Sequence, residues 1–164
     1  MENKGLKIVV AITRFVLGVE FLWPFFDKLF GLGFATKPGN GWISGGSPTA
    51  GFLTKGSSGP FSPIYKSIGG TGIIDWLFML ALLGVGIALL LGIGMKIGTI
   101  SGSVLMFLMW SAALPKANNF FLIDDHIIII LVLLILLFAK AGQIAGLGKW
   151  WANTKLVKRL PGLE

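Results

Sequence analysis

Residues 73–93 read IIDWLFMLALLGVGIALLLGI, with Asp75 as the single charge. A helix built from this run is apolar on nearly every side, and about 20 residues at 1.5 Å each cross a bilayer. Only Gly94, Met95 and Lys96 separate it from a second apolar run, Ile97–Leu114. So short a turn forces the two into an antiparallel hairpin. An earlier run, Ile8–Phe30, is too long and too aromatic for a signal-peptide core, and no small-residue cleavage site follows it. A fourth is centred on Ile127–Ala139, which holds only 13 uninterrupted apolar residues. It is expected to extend into Phe120–Ile123 on one side and Ala141–Leu147 on the other, with Lys140 snorkelling to the interface. The expectation is an all-α membrane protein forming one domain over 1–164: a four-transmembrane-helix bundle with spans at about 8–30, 73–93, 97–114 and 123–146.

Composition supports this. Hydrophobic residues make up 54% of the 164 and charged residues 13%, about half of the roughly 25% typical of soluble domains. The net charge of +7 is explained by membrane topology and anionic lipid. No basic cluster interleaved with aromatics stands in a polar segment, so no nucleic-acid partner is expected. Cysteine is absent, which excludes disulfides, thiolate metal sites and a thiol relay within the chain.

The connection over 34–72 is long and rich in Gly, Ser and Pro. It also carries Phe34, Trp42, Ile43, Phe52, Leu53, Phe61, Ile64 and Tyr65, more apolar load than a flexible linker would hold. It is expected to be an ordered external lid, with Ser47-Pro48 capping a short helix through Phe52. One side of a four-span bundle would carry both termini with Lys4, Lys7, Lys96, Lys149, Lys155, Lys158 and Arg159. The other would carry Lys37, Lys55, Lys66 and Lys116. The positive-inside rule then places both termini and a basic tail, 149–164, in the cytoplasm. Asp27, Asp75, Asp124 and Asp125 fall at the external ends of helices.

Arg14 and Glu20 lie inside the first apolar run, where an ionisable group costs at least a few kcal/mol and is expected to face the bundle interior. Six residues apart, they stand about 240° apart around the helix, so each needs a partner elsewhere. Pro24 crowds the Glu20 carbonyl. Glu20, Trp23, Asp27 and Lys28 form a polar, aromatic strip leading outward. The plainer alternative makes Arg14 and Glu20 structural, and Asp27 and Lys28 ordinary interface charges. Asp124, Asp125 and His126 open the fourth run. The carboxylates suit a helix N-terminus; His126, the one histidine, suits proton handling or a hydrogen bond to a quinone carbonyl. One His without Cys makes a poor ligand set, so no metal, haem or flavin site is expected. Gly84-xxx-Ala88-xxx-Gly92 and Gly98-xxx-Gly102 read as small-residue ridges for close packing of the hairpin.

Taken in order, these motifs resemble the DoxX family of membrane proteins. The resemblance rests on Arg14-Phe-Val-Leu-Gly18, Phe21-Leu22 and Asp27-Lys28-Leu-Phe in the first run. For the DoxD-like branch it adds Gly46-Ser-Pro-Thr-Ala-Gly-Phe-Leu53, Gly59-Pro60-Phe61, Asp75-Trp76-Leu77, Asp124-Asp125-His126 and Ala141-Gly142-x-x-x-Gly-Leu-Gly148. Gln143 stands where the family has a basic residue, with Lys140 nearby. The resemblance implies a four-helix membrane bundle in a prokaryotic cell membrane, similar to the large subunit of thiosulfate:quinone oxidoreductase, which passes electrons from thiosulfate to quinone. It further implies a separate DoxA-like or other redox subunit, since that domain is not in this chain.

On this basis a quinone or a small anionic reductant is expected at the external half of the bundle. Arg14 would hold negative charge, and Glu20 and His126 would move protons. Trp23, Asp27, Lys28, Trp42, Phe52, Asp75 and Asp125 would bind substrate. A non-catalytic scaffold or docking subunit is the alternative, and a small-molecule or proton transporter the third. A homo-oligomer is left open.

Overall fold

The computed structural model describes residues 3–114 and 122–163; the Pro115–Asn119 connection and the expected Phe120 start of the fourth span lie outside the described residues. Among the described residues the chain is helical, with no strand and one isolated bridge between Ser58 and Ala113. Helix α1 (Lys4–Phe30) opens on Asn3, whose side chain accepts from the Leu6 N–H at 3.3 Å, and runs through Pro24 without a break. It ends at Gly31, whose φ of 70° lies in the left-handed region that closes many helices on glycine.

The segment after α1 is ordered in pieces. A 3-10 turn covers Trp42–Ser44, a π-type turn Gly51–Gly56, and α2 Ser62–Ile68. The short helix expected from Pro48 through Phe52 forms three residues later, over Gly51–Gly56, and with wider turns. Ser47 Oγ still caps it locally, accepting from the Ala50 N–H at 3.0 Å. Then come α3 (Gly72–Leu91), α4 (Met95–Ala112) and α5 (Asp125–Phe138), followed by the short α6 (Ala141–Ile144), α7 (Gly148–Ala152) and α8 (Lys155–Arg159).

Among the described residues three helices, α1, α3 and α4, are long and apolar enough to cross a membrane. The fourth apolar run departs from expectation. Instead of one helix over 123–146, α5 has 14 residues, about 21 Å at 1.5 Å each against a hydrocarbon core of about 30 Å. Lys140 breaks it with φ 48°, the one non-glycine residue at positive φ among those described. Lys140 is therefore a corner rather than a snorkelling residue within a span. The corner returns the chain to the end of α3. There Gly142, Gly148 and Gly92 approach so closely that a Cβ on Gly142 or Gly148 would collide with backbone carbonyl oxygens.

Packing runs α1 on α3, α3 on α4 and α4 on α5. The tightest crossing is α1 on α3: a Cβ on Gly86 would lie 2.5 Å from Leu22 Cγ, and one on Gly18 2.8 Å from the Leu90 side chain. Small residues let apolar helices touch without a hydrophobic driving force between them. Of the two expected ridges, a Cβ on Gly98 would meet Ala88 at 2.6 Å and one on Gly102 would meet Val85 at 3.0 Å, making the α3–α4 approach as expected; Gly84 takes no part, since a Cβ there meets nothing. Phe21, Met79, Val85, Leu89, Met106 and Leu133 fill the core. Outward-facing apolar side chains such as Phe15, Leu80, Phe107 and Ile135 are at least half exposed, as lipid-facing positions are.

Candidate functional site

The 34–72 segment folds over one end of the bundle because three helices hold it there. Asp27, 1% exposed near the end of α1, accepts the Phe34, Ala35 and Thr36 backbone N–H groups at 3.2, 3.1 and 2.9 Å. Asp75, 5% exposed in the first turn of α3, accepts Ser47 Oγ–H at 2.9 Å, the Thr49 N–H at 3.1 Å and Thr49 Oγ1–H at 2.5 Å. At the end of α4, the Ser58 N–H donates to the Ala112 carbonyl at 2.8 Å, and Tyr65 Oη lies 2.6 Å from Ser111 Oγ. Satisfied backbone donors and buried hydroxyls turn a Gly-rich segment into a roof.

Under this roof lies a groove of about 1070 Å³ bordered by α3 and α4. Its walls are Ile74, Leu77 and Phe78 from α3 and Ile100, Val104 and Leu108 from α4; Phe52 and Leu53 cover it from above. Lys28, Lys37 and Lys55 stand among the lining residues, and no carboxylate does. A concave, mostly apolar space with a few convergent polar groups is the usual form of a small-molecule site. Of the residues expected to bind substrate, Lys28 and Phe52 line it.

The remaining expected residues are dispersed. Asp27 and Asp75 are turned into the roof rather than the groove. Trp42 packs edge-to-face on Trp76 with ring centroids 4.6 Å apart, and Trp23 does the same with Phe34 at 4.8 Å; neither lines the groove. Arg14 is buried, 4% exposed, but not toward a ligand space. Its Nη1 donates to the Leu89 carbonyl at 2.9 Å and its Nη2 to the Ala145 carbonyl, while Nε has no partner among the described residues. The last carbonyls of a helix lack intrahelical donors. At the end of α3, Gly92 N–H takes that of Ala88, Arg14 that of Leu89, and Leu147 N–H that of Leu91. Arg14 thus clamps α1, the end of α3 and the corner after α5. Leu89 lies about 21 Å along α3 from Asp75 at 1.5 Å per residue, so Arg14 sits at the end of the bundle away from the roof.

Glu20 departs from the expected inward orientation: it lies on the exposed face of α1 beside Val16, Val19 and Trp23. The α1 face that packs on α3 is already occupied by Arg14, Gly18, Phe21 and Phe25, and Glu20 is rotated off that stripe. Glu20→Leu is accordingly expected to change the stability of the detergent-solubilised chain by no more than about 0.5 kcal/mol. Thermal unfolding reads this directly, and a drop of many degrees would place a structural partner on Glu20.

His126 lies at the roofed end, since Trp110 Nε1–H at the end of α4 donates to the Leu122 carbonyl at 3.0 Å. Asp124 caps α5 as expected, accepting the His126 N–H at 3.0 Å and the Ile127 N–H at 3.4 Å; its other oxygen is 2.9 Å from His126 Nδ1. Asp124, Asp125 and His126 each bring one donor atom to within 4.8 Å of the others, with Asp125 exposed. Capping and the ring hydrogen bond account for that convergence. Neither Asp125 nor His126 lines the groove. Arg14, Glu20 and His126 therefore do not form one site.

No protein-family model, curated protein or solved structure matches this chain. Sequence reasoning treated Lys37 and Lys55 as topology markers and did not pick out the outer walls of α3 and α4. Lysines in an apolar, structured loop were the available signal, but their convergence needs the folded roof.

Proposed function

We propose that this chain is a DoxX/DoxD-like membrane subunit that binds a quinone, or a small anionic reductant such as thiosulfate, in the groove beneath the roof. In this proposal the membrane is crossed four times, the fourth crossing being completed by α5 and the corner through α6. Both termini are cytoplasmic and the roof is external. The observation that carries it is the groove: large, apolar along α3 and α4, and rimmed by cations where it meets the roof. Phe52 and Phe78 offer ring faces to a quinone, and Lys28, Lys37 and Lys55 draw an anion to the rim. Arg14, Asp27 and Asp75 act as positioning residues that hold the bundle end and the roof. A chain with no cysteine passes electrons between bound substrate and quinone, or to a separate redox subunit.

The test is quinone binding by the purified full chain, followed by tryptophan quenching on titration with decylubiquinone. Val104→Trp, which puts a bulky ring in the groove from a wall position, is expected to weaken binding at least about tenfold. Quinone reduction with thiosulfate then asks whether chemistry follows binding. Absence of saturable quenching in the parent protein defeats the quinone reading.

The scaffold alternative has one observation in its favour. The outer face of α1 exposes Phe15, Val19, Trp23 and Phe26 around the Glu20 carboxylate. A carboxylate facing lipid is costly, and a partner helix would cover it. A stoichiometric partner lost on Glu20→Leu, with no ligand in the groove, favours that alternative.

A further inference from the structure

The groove is polarised along the helices. Lys28, Lys37 and Lys55 lie toward the roof, and apolar side chains alone come from α3, at Ile74, Leu77, Phe78 and Ala81. Asp27 acts electrostatically on its neighbour Lys28, but among the described residues neither carboxylate nearest the rim forms an ion pair with a rim lysine. Asp27 faces three backbone N–H groups and Asp75 faces Ser47 and Thr49. Lys37 and Lys55 are exposed and have no ion-pair partner among the described residues. From Ile74 to Ala81 the wall runs about 10 Å along α3, and from Met109 back to Ile100 about 13 Å along α4, at 1.5 Å per residue. Half of a hydrocarbon core of about 30 Å is about 15 Å. The groove therefore reaches most of the way through one leaflet and stops. It also opens sideways: Leu77, Ile100, Val104 and Leu108 line it and are between 46% and 59% exposed.

We infer that this groove is a site for an anionic phospholipid of the roofed leaflet. The headgroup phosphate lies on the three lysines, and an acyl chain lies between α3 and α4. A zwitterionic lipid brings its own cation against the lysines, and a neutral ring leaves them without a counter-charge. A free phosphate has no tail for the apolar walls. This inference rests on the groove being a ligand site, as in the proposed function. It assigns the groove a different occupant from the quinone or thiosulfate of that reading: an amphiphile with a negative head.

The experiment uses the full chain, delipidated in detergent and titrated with phosphatidylglycerol, phosphatidylcholine, inorganic phosphate and decylubiquinone, with bound lipid counted by native mass spectrometry. A basic residue near a membrane surface contributes about fivefold in affinity for anionic lipid. The parent is thus expected to prefer phosphatidylglycerol by on the order of a hundredfold. Lys28→Gln/Lys37→Gln/Lys55→Gln is expected to abolish that preference. The exposed pair Lys37→Gln/Lys55→Gln, which leaves α1 intact, is expected to remove about twenty-five-fold of it. Val104→Trp should displace the one saturable lipid. Equal binding of the two lipids by the parent overturns the inference, as does a preference that survives the triple substitution or is competed away by inorganic phosphate. If decylubiquinone binding falls with Val104→Trp and lipid selectivity is absent, the lipid inference fails while the groove stands as a quinone site. If Val104→Trp alters no probe, both fail.

Discussion

Arg14→Ala is expected to lower the stability of the solubilised protein by about 2–6 kcal/mol, the sum of two buried carbonyls left without donors at about 1–3 kcal/mol each. The guanidinium is 4% exposed and donates to the carbonyls of Leu89 and Ala145. Both acceptors sit where the chain crowds. Gly92 and Gly146 crowd the Arg14 head group, and Gly142 and Gly148 pack against Gly92, with no room for a Cβ on any of them. Water cannot readily replace the lost donors in so tight a space. The end of α3 and the corner at Lys140 would then be held by bonds such as Leu147 N–H on Leu91 without the clamp. Arg14→Lys retains a cation but not the planar fork that reaches two acceptors on separate segments, so it should recover only part of the loss. Thermal unfolding in detergent should show a drop on the order of 10 °C for alanine, and protease should cut 139–148 sooner. An unchanged melting curve for Arg14→Ala would show that the clamp is not structural.

Asp75→Ala is expected to release the roof and with it ligand retention. Three donors converge on one oxygen of this carboxylate, the shortest from Thr49 Oγ1 at 2.5 Å. Thr49 Oγ1 in turn accepts the Gly70 N–H at 3.2 Å, so one side chain ties the start of the roof to its exit. Hydrogen bonds to a charged group contribute about 1.5–3 kcal/mol each, not additively. A local loss of about 2–4 kcal/mol is enough to open a surface segment while the bundle stays folded. The expected result is rapid proteolysis within 46–60, a melting point only modestly lowered, and groove ligands bound at least about tenfold more weakly. Asp75→Asn keeps an acceptor for the two hydroxyls and should restore much of the protection. Proteolysis at the parent rate in Asp75→Ala would mean the roof is held by its other anchors alone.

Much of this architecture is legible in the chain. Apolar runs place α1, α3 and α4 to within a few residues of Lys4–Phe30, Gly72–Leu91 and Met95–Ala112, because a helix in lipid needs only length and the absence of charge. The same criterion misjudged the fourth run. Nothing in the pattern from Asp125 to Gly148 marks Lys140 as a corner, since its left-handed backbone goes with the packing of Gly142 and Gly148 on Gly92 rather than with local preference. Glu20 shows a related limit: burial was inferred from cost, while the rotation of α1 is set by the stripe that fits α3.

The sequence by itself determined that this is a helical chain with membrane-length apolar runs, a tight hairpin between two of them, and an ordered segment after the first. Local hydrophobicity and turn length are enough for that. Tertiary structure decided what each charged residue does. The partners of Arg14 lie 75 and 131 residues away, and those of Asp75 lie 26 to 28 residues away. A hydrogen-bond acceptor or a lysine rim is a property of what is brought beside a residue, and no spacing along the chain carries it.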